Sequence, residues 1–274
     1  MQHRRDGQKL FLSNLETLVI DEFDTFVDSG MEANIRKLLE QYLSVGPRQV
    51  IFASATVTKQ MKALAADFFG AGTDPAHDFK ELIEKSTHMN LQNLKHEFIH
   101  IADYDKIKPL KLLIKEFKKY QRKHNTSAIV FCNSVASARA IEHALSEEGL
   151  KTASMHGDIP PRMRERNFED FKVQKAEVLV ATDLASRGLD IPFVSHIINF
   201  DFPKSNSDYL HRAGRAGRAG RPGFVLSLYR ERDQPVLEAM KDSHETLEPL
   251  KIEGGSAYSI RKKSTDEAKP VQLG

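Results

Sequence analysis

Three carboxylates, Asp21, Glu22 and Asp24, fall within four positions of the stretch VIDEFDTF. Like charges this close repel, and each resists leaving water, so such a group needs a cation, a set of donors or full exposure. It is either half of a metal and nucleotide site or an acidic turn. Other polar clusters are Ser54-Ala55-Thr56, Asn133-Ser134, His156-Gly157-Asp158, Thr182-Asp183 and Asp201. Each, taken singly, has helix capping as its plain alternative, because Ser, Thr, Asp and Asn are the preferred caps after a strand. In HRAGRAGRAGRPG, arginines recur every third residue at Arg212, Arg215, Arg218 and Arg221. They form either a flexible basic segment that meets phosphates without fixed geometry or a turn that sets two guanidiniums on one face. Forked guanidiniums suit a phosphoryl group that gains charge during transfer.

The elements that would position these residues alternate in type. LETLVI (15–20) and QVIFA (49–53) read as strands, and Glu32 to Tyr42 and Thr58 to Phe69 carry helical spacing, with Gly70 and Gly72 as stops. Periodicity lapses around Pro75 and His77. A second alternation brings strands at 96–102, 127–133, 151–157, 176–183, 195–201 and 223–229, with helical patterns at Lys106 to Tyr120 and Ala136 to Leu145. This order predicts an α/β fold with a parallel sheet covered on both faces. The polar clusters then fall at strand carboxyl ends, where open α/β sheets bind ligands. The first alternation, with two strands, reads as the back half of a domain. The expected division is a partial domain over 1–72, a linker over 73–94, a complete domain over 95–247 and a disordered polar tail over 248–274.

Composition sets the outer bounds. A formal net charge of +2, with 40% hydrophobic and 28% charged residues, describes a globular chain whose basic surface must be local. One cysteine, Cys132, excludes an intrachain disulfide and suits a reducing, intracellular compartment. Cytoplasm, nucleus and organelle (mitochondrion or plastid) are not distinguished. No apolar run approaches the roughly 18 residues of a membrane span, so no membrane partner is expected. Nothing indicates an oligomer.

In order and spacing these segments resemble the DEAD-box family of ATP-dependent RNA helicases. Asp21-Glu22-Phe23-Asp24 is similar to that family's motif II, with Phe where Ala is usual, and Ser54-Ala55-Thr56 to motif III. IVFCNS (129–134) resembles motif IV, ATDLASRGLDIP (181–192) motif V and HRAGRAGR (211–218) motif VI. The resemblance runs from about Leu15 to about Met240. It implies a partial RecA-like domain followed by a complete RecA-like parallel-sheet domain, the helicase C-terminal domain.

The resemblance also implies roles. Asp21 would hold Mg²⁺ and Glu22 would orient the hydrolytic water. Asp24 would bond the hydroxyls of Ser54 and Thr56 and reach His211. Arg215 and Arg218 would meet the γ-phosphate of ATP, Asp190 the ribose, and Gly188 belongs to the same nucleotide-contacting stretch. Arg212 would brace motif V through a carboxylate such as Asp183. Thr182, Arg164 and the backbone near Gly157 would contact RNA, single-stranded or duplex, through sugar and phosphate and therefore without base preference. Pro161 stands where the family usually has Gln, which removes one donor to RNA.

One further departure is the lack, within these 274 residues, of any G-x-x-x-x-G-K-[ST] stretch to cradle phosphates. ATP and Mg²⁺ would then bind weakly, and ATP hydrolysis by the chain alone is expected to be negligible. Two readings follow: an ATP-dependent RNA helicase represented by its carboxyl-terminal part, or a non-catalytic RNA-binding or regulatory protein built on the second lobe. A third, an ordinary dinucleotide-binding enzyme, would need a G-x-G-x-x-G after a strand. GRAGRAGR imitates that only in part, with arginines where small residues would pack.

Overall fold

The protein is described by a computed structural model covering residues 14–46, 48–70, 80, 82, 94–101, 106–183, 191, 193–243, 247–252 and 255–260. It divides into two compact units, Met1–Glu84 and Lys85–Gly274, the division falling inside the stretch expected as a linker.

In the first unit, β1 (Thr17–Ile20) and β2 (Gln49–Phe52) pair in parallel with Val19 opposite Ile51. Three helices accompany them: α1 (Phe23–Asp28), α2 (Glu32–Leu43) and α3 (Lys59–Phe69). α2 buries Ile35, Leu39 and Tyr42, one residue per turn of a single face. α3 starts where Thr58 Oγ1 accepts from Met61 N and stops at Gly70, whose φ of 73° is open mainly to glycine. The core joins Ile20, Phe23, Val27, Ile35, Leu39, Met61 and Leu64. Phe23, the residue that departs from the family's Ala, is 1% exposed and stacks on Phe52 with centroids 4.3 Å apart. The aromatic ring therefore has a place in the core.

The second unit holds β3 (Leu94–His100), α4 (Ile107–His124), β4 (Ser127–Cys132), α5 (Val135–Glu147), β5 (Thr152–Met155) and α6 (Pro161–Lys172). It continues with β6 (Val178–Thr182), β7 (Val194–Asn199), α7 (Asn206–Ala213), β8 (Gly223–Tyr229) and α8 (Gln234–Ser243). A hairpin of β9 (Leu247–Ile252) and β10 (Gly255–Ile260) ends the described chain. The sheet order is β5-β6-β4-β7-β8-β3-β10-β9, with the first six strands parallel and the hairpin antiparallel. One apolar cluster lies under α4 and α5, the other under α6, α7 and α8. Coverage on both faces is why every residue of β4 and β7 is buried.

Within the stretch expected as a polar tail over 248–274, the described residues include this hairpin, and the rest lies outside the described residues. β10 pairs with β3 from Ala257 opposite Ile99 to Ile260 opposite His96, extending the sheet beyond its parallel portion. Pro161, the second departure, is the first residue of α6, where a missing N–H costs no helical bond.

Candidate functional site

In the first unit the parallel pairing of β1 and β2 sets DEFD and SAT side by side at their carboxyl ends. Phe23 N donates to Ala53 O at 3.0 Å, locking the two loops together. Asp24 is fully buried and its charge is met by donors. Thr56 Oγ1 and Thr56 N reach its Oδ2 at 2.9 and 3.1 Å, and Thr25 N reaches Oδ1 at 2.9 Å. The Ser54 hydroxyl plays a different part from the one expected: it accepts from Asp24 N at 3.2 Å and donates to Thr56 O at 2.7 Å. Asp24's carboxylate thus holds Thr56, while Ser54 holds the backbone on both sides.

Asp21 is exposed at the end of β1, and its Oδ1 accepts from Glu22 N at 2.8 Å. Glu22 has φ 50° and ψ 43°, a left-handed conformation that a side chain with a Cβ adopts at a cost of about 1 kcal/mol. One exposed carboxylate is a donor set that fits Mg²⁺ only when nucleotide oxygens and water complete its shell. Among the described residues no three His, Cys, Asp or Glu side chains gather into a protein cage.

In the second unit the corresponding feature is a guanidinium. Arg212, on α7, is 1% exposed and uses all five of its N–H donors. Nε and Nη2 form a fork on Asp183 Oδ1 and Oδ2, both at 2.6 Å. Nη2 also reaches Asn133 Oδ1 at 2.6 Å, and Nη1 reaches Asp201 O at 2.8 Å and Asn199 Oδ1 at 3.2 Å. The expected brace to Asp183 is present. The amide and carbonyl partners, from the ends of β4 and β7, were not anticipated.

A second layer supports the first. Lys106 Nζ donates to Asp201 Oδ1 at 2.9 Å and to Phe200 O at 3.0 Å, and Asn133 N donates to Asp201 Oδ2 at 3.0 Å. Burial pushes the Asp201 carboxyl upward, but the Lys106 and Asn133 bonds outweigh it and hold the group below its ordinary range. Asn199 Nδ2 donates to Ser227 Oγ at 2.8 Å. The readable signal for Asn133 and Asn199 was an amide side chain ending an otherwise apolar strand. Lys106 gave none, since it reads as one more lysine of a basic helix.

The clamp fixes where the arginine turn begins. α7 ends at Ala213, and Arg215 Nε and Arg218 Nε donate back to His211 O and Gly214 O, each at 3.2 Å. Gly217 has φ +68°, and a Cβ there would collide with Leu94 Cδ2. The segment is therefore a packed turn, which removes the reading as flexible low-complexity chain. His211, Arg215 and Arg218 are all half-buried.

Gly157, exposed after β5, and Thr182, the last residue of β6, lie at one end of two paired strands, and half-buried Arg164 lies on α6, which follows β5. Gly188 and Asp190 lie outside the described residues. The His156-Gly157-Asp158 cluster caps no helix, since α6 starts beyond it at Pro161. Ser134, in contrast, does cap α5, accepting from Ser137 N at 3.1 Å. Capping and buried bonding thus divide Asn133 and Ser134 between them.

Two family models match this chain: DEAD/DEAH box helicase over residues 1–64, and helicase conserved C-terminal domain over residues 105–220. The DEAD-box ATP-dependent RNA helicase 39 of Arabidopsis thaliana is 33% identical across 97% of this chain and 43% of its own length. RhlB of Pseudomonas syringae pv. tomato, an ATP-dependent RNA helicase, is 34% identical across 85% of the chain and 56% of its own length. The chain thus spans about two-fifths to just over half of these curated relatives. The structure of E. coli DEAD-box protein SrmB bound to regulator of ribonuclease activity A is 32% identical, with TM-score 0.50, covering 64% of this chain and 98% of that one. S. cerevisiae Dbp5 bound to RNA and ADP BeF3 shares the fold at TM-score 0.68 and 23% identity, covering 85% of this chain and 58% of that one. No helix among the described residues is long and apolar enough to cross a membrane.

Proposed function

The chain belongs to the DEAD-box helicase family, and from that premise we propose that it carries the motif II to motif VI portion of an ATP-dependent RNA helicase. Its substrates would be ATP and RNA. The observation that carries this reading is the five-donor clamp of Arg212, which turns a glycine- and arginine-rich segment into a fixed loop beside strand carboxyl ends. A basic segment that met RNA only by charge would need no such clamp.

Phosphoryl transfer asks the protein mostly for positioning and for charge opposite the developing charge. Asp21 would hold Mg²⁺, which when bound neutralises phosphate charge. Glu22 would orient the attacking water. Asp24 would relay the position of the SAT loop and couple it to His211. Arg215 and Arg218 would stabilise the γ-phosphoryl group, Asp190 and Gly188 would contact the nucleotide, and Gly157, Arg164 and Thr182 would hold RNA by its backbone.

Within these residues no G-x-x-x-x-G-K-[ST] cradle exists. A polypeptide of these 274 residues alone is therefore expected to bind RNA weakly and to hydrolyse ATP negligibly, with or without RNA. RNA-stimulated turnover that disappears in Glu22→Gln would contradict the second expectation. A second reading is an RNA-binding regulatory chain built on the helicase C-terminal domain. Competition of this chain with an intact helicase for RNA, without turnover of its own, would distinguish it.

A further inference from the structure

We propose that the solvent face of α4 is a docking site for an acidic amphipathic helix of another protein. α4 carries seven Lys and Arg residues and a single acid, Glu116. At about 100° per residue, Lys108, Lys111, Lys115, Lys118, Lys119, Arg122 and Lys123 fall within an arc of about 140°. The opposite side, Leu110, Ile114 and Phe117, is buried against the sheet. All of α4 is remote in sequence from the residues assigned to ATP or RNA, and none of its cations enters the Arg212 clamp.

Charge on this face is only partly answered. Lys111 Nζ meets Glu148 Oε1 at 2.6 Å, Lys118 Nζ donates to Glu148 O at 2.9 Å, and Lys119 pairs with Glu116 at 2.7 Å. Lys108, Lys115 and Arg122 are exposed and have no ion pair among the described residues. They repeat every seventh residue, about 10 Å apart along the helix.

Between the lysines runs a shallow trough of about 550 Å³, lined by four lysines, by Leu112 and Ile114, and by one acid, Glu148, whose carboxylate is already met by Lys111. Leu112 is 65% exposed there, flanked one turn away on each side by Lys108 and Lys115. An apolar floor with a cationic rim decides between polyanions. An RNA strand would want donors and planar groups on which bases stack, and the trough contains no aromatic ring. A helix with carboxylates on its flanks and a leucine along its centre satisfies both parts at once.

The test uses the full chain and a fluorescein-labelled peptide of α4's own 18-residue length, with Glu on both flanks and Leu at every seventh position. Anisotropy is expected to show saturable binding that weakens with salt. Two charge reversals, Lys108→Glu with Lys115→Glu, are expected to weaken it about tenfold or more, and Leu112→Ser several-fold. Leu→Ala in the peptide is expected to act like Leu112→Ser. The milder pair Lys108→Gln with Lys115→Gln, checked for an unchanged unfolding midpoint, takes the place of the reversals if they disturb folding. Absence of peptide binding, or binding indifferent to these substitutions, overturns the proposal. So does a result in which the reversals abolish binding of oligouridine or of phosphatidylserine vesicles while the peptide is unaffected.

Discussion

In the smaller unit Val19 and Ile51, partners across β1 and β2, are 57% and 42% exposed, whereas β4 and β7 of the larger unit are buried along their whole length. The polar sites follow the same contrast. Around Asp24 the donors come from adjacent backbone and one neighbouring loop, all within a few residues of two strand ends. Around Arg212 the acceptors come from the ends of three strands, as far as 79 residues away. A thin sheet can orient a carboxylate through local turns, but it takes a full, doubly covered sheet to bury a guanidinium. Both sites occupy strand carboxyl ends, so the same placement is stabilised in two ways.

The largest expected effect lies in the larger unit. Arg212→Ala would leave Asp183 and two amides without their partner, and breaking a buried charge pair costs about 3–5 kcal/mol. Chemical denaturation is expected to show that loss, with protection of amides in β4, β6 and β7 falling most. Arg212→Lys should recover little, because an ammonium cannot reproduce the fork. Comparable destabilisation is expected in the smaller unit from Phe23→Ala, about 3–4 kcal/mol for a fully buried ring stacked on another. Amide exchange in β1, β2 and α3 would register it. If Phe23→Ala were neutral there, the smaller unit would not be built on that ring at all.

A third effect depends on pH. His196, on β7, lies against Phe117, Tyr120 and Phe224, with Ser195 Oγ at its Nδ1. Burial holds its pKa at about 4, below the ordinary 6.5. The folded state therefore resists the proton that the unfolded chain accepts between those values. The stability present above pH 6.5 falls as pH drops toward 4, by about 3 kcal/mol in all, at roughly 1.4 kcal/mol per pH unit. In His196→Phe that slope should flatten. Smallest is Thr56→Ala, which removes one hydroxyl bond to Asp24 while the backbone bonds remain, at a cost of about 1–2 kcal/mol.

Much of the fold could be read from the sequence because apolar runs such as AIVF and VLVA are buried on both faces and bounded by polar strand ends. α6 escaped notice because Phe171 is its one buried residue among the described positions, so it shows no apolar period. α1 has six residues, too few to show an apolar period, and overlaps the acidic stretch. The hairpin was not legible because its short strands, LEPLKI and GSAYSI, lie in a stretch that turns polar and Lys/Ser-rich. Of the candidate site, residue types and strand-end placement were legible. The Arg212–Asp183 brace followed from the family resemblance, but the amides of Asn133 and Asn199 became partners only through strand order, which spacing does not encode. The Ser54 hydroxyl was assigned to the wrong side of Asp24 because donor direction depends on the path of the loop.

The central proposal, that the larger unit would hold RNA by its backbone at the ends of β5 and β6, is tested most directly by oligouridine binding to the chain across a salt series. The account predicts binding without base preference that weakens as salt rises. It predicts a several-fold loss and a shallower salt slope in Arg164→Ala, with the unfolding midpoint unchanged. Binding that is absent at low salt, or that Arg164→Ala leaves untouched, would contradict it.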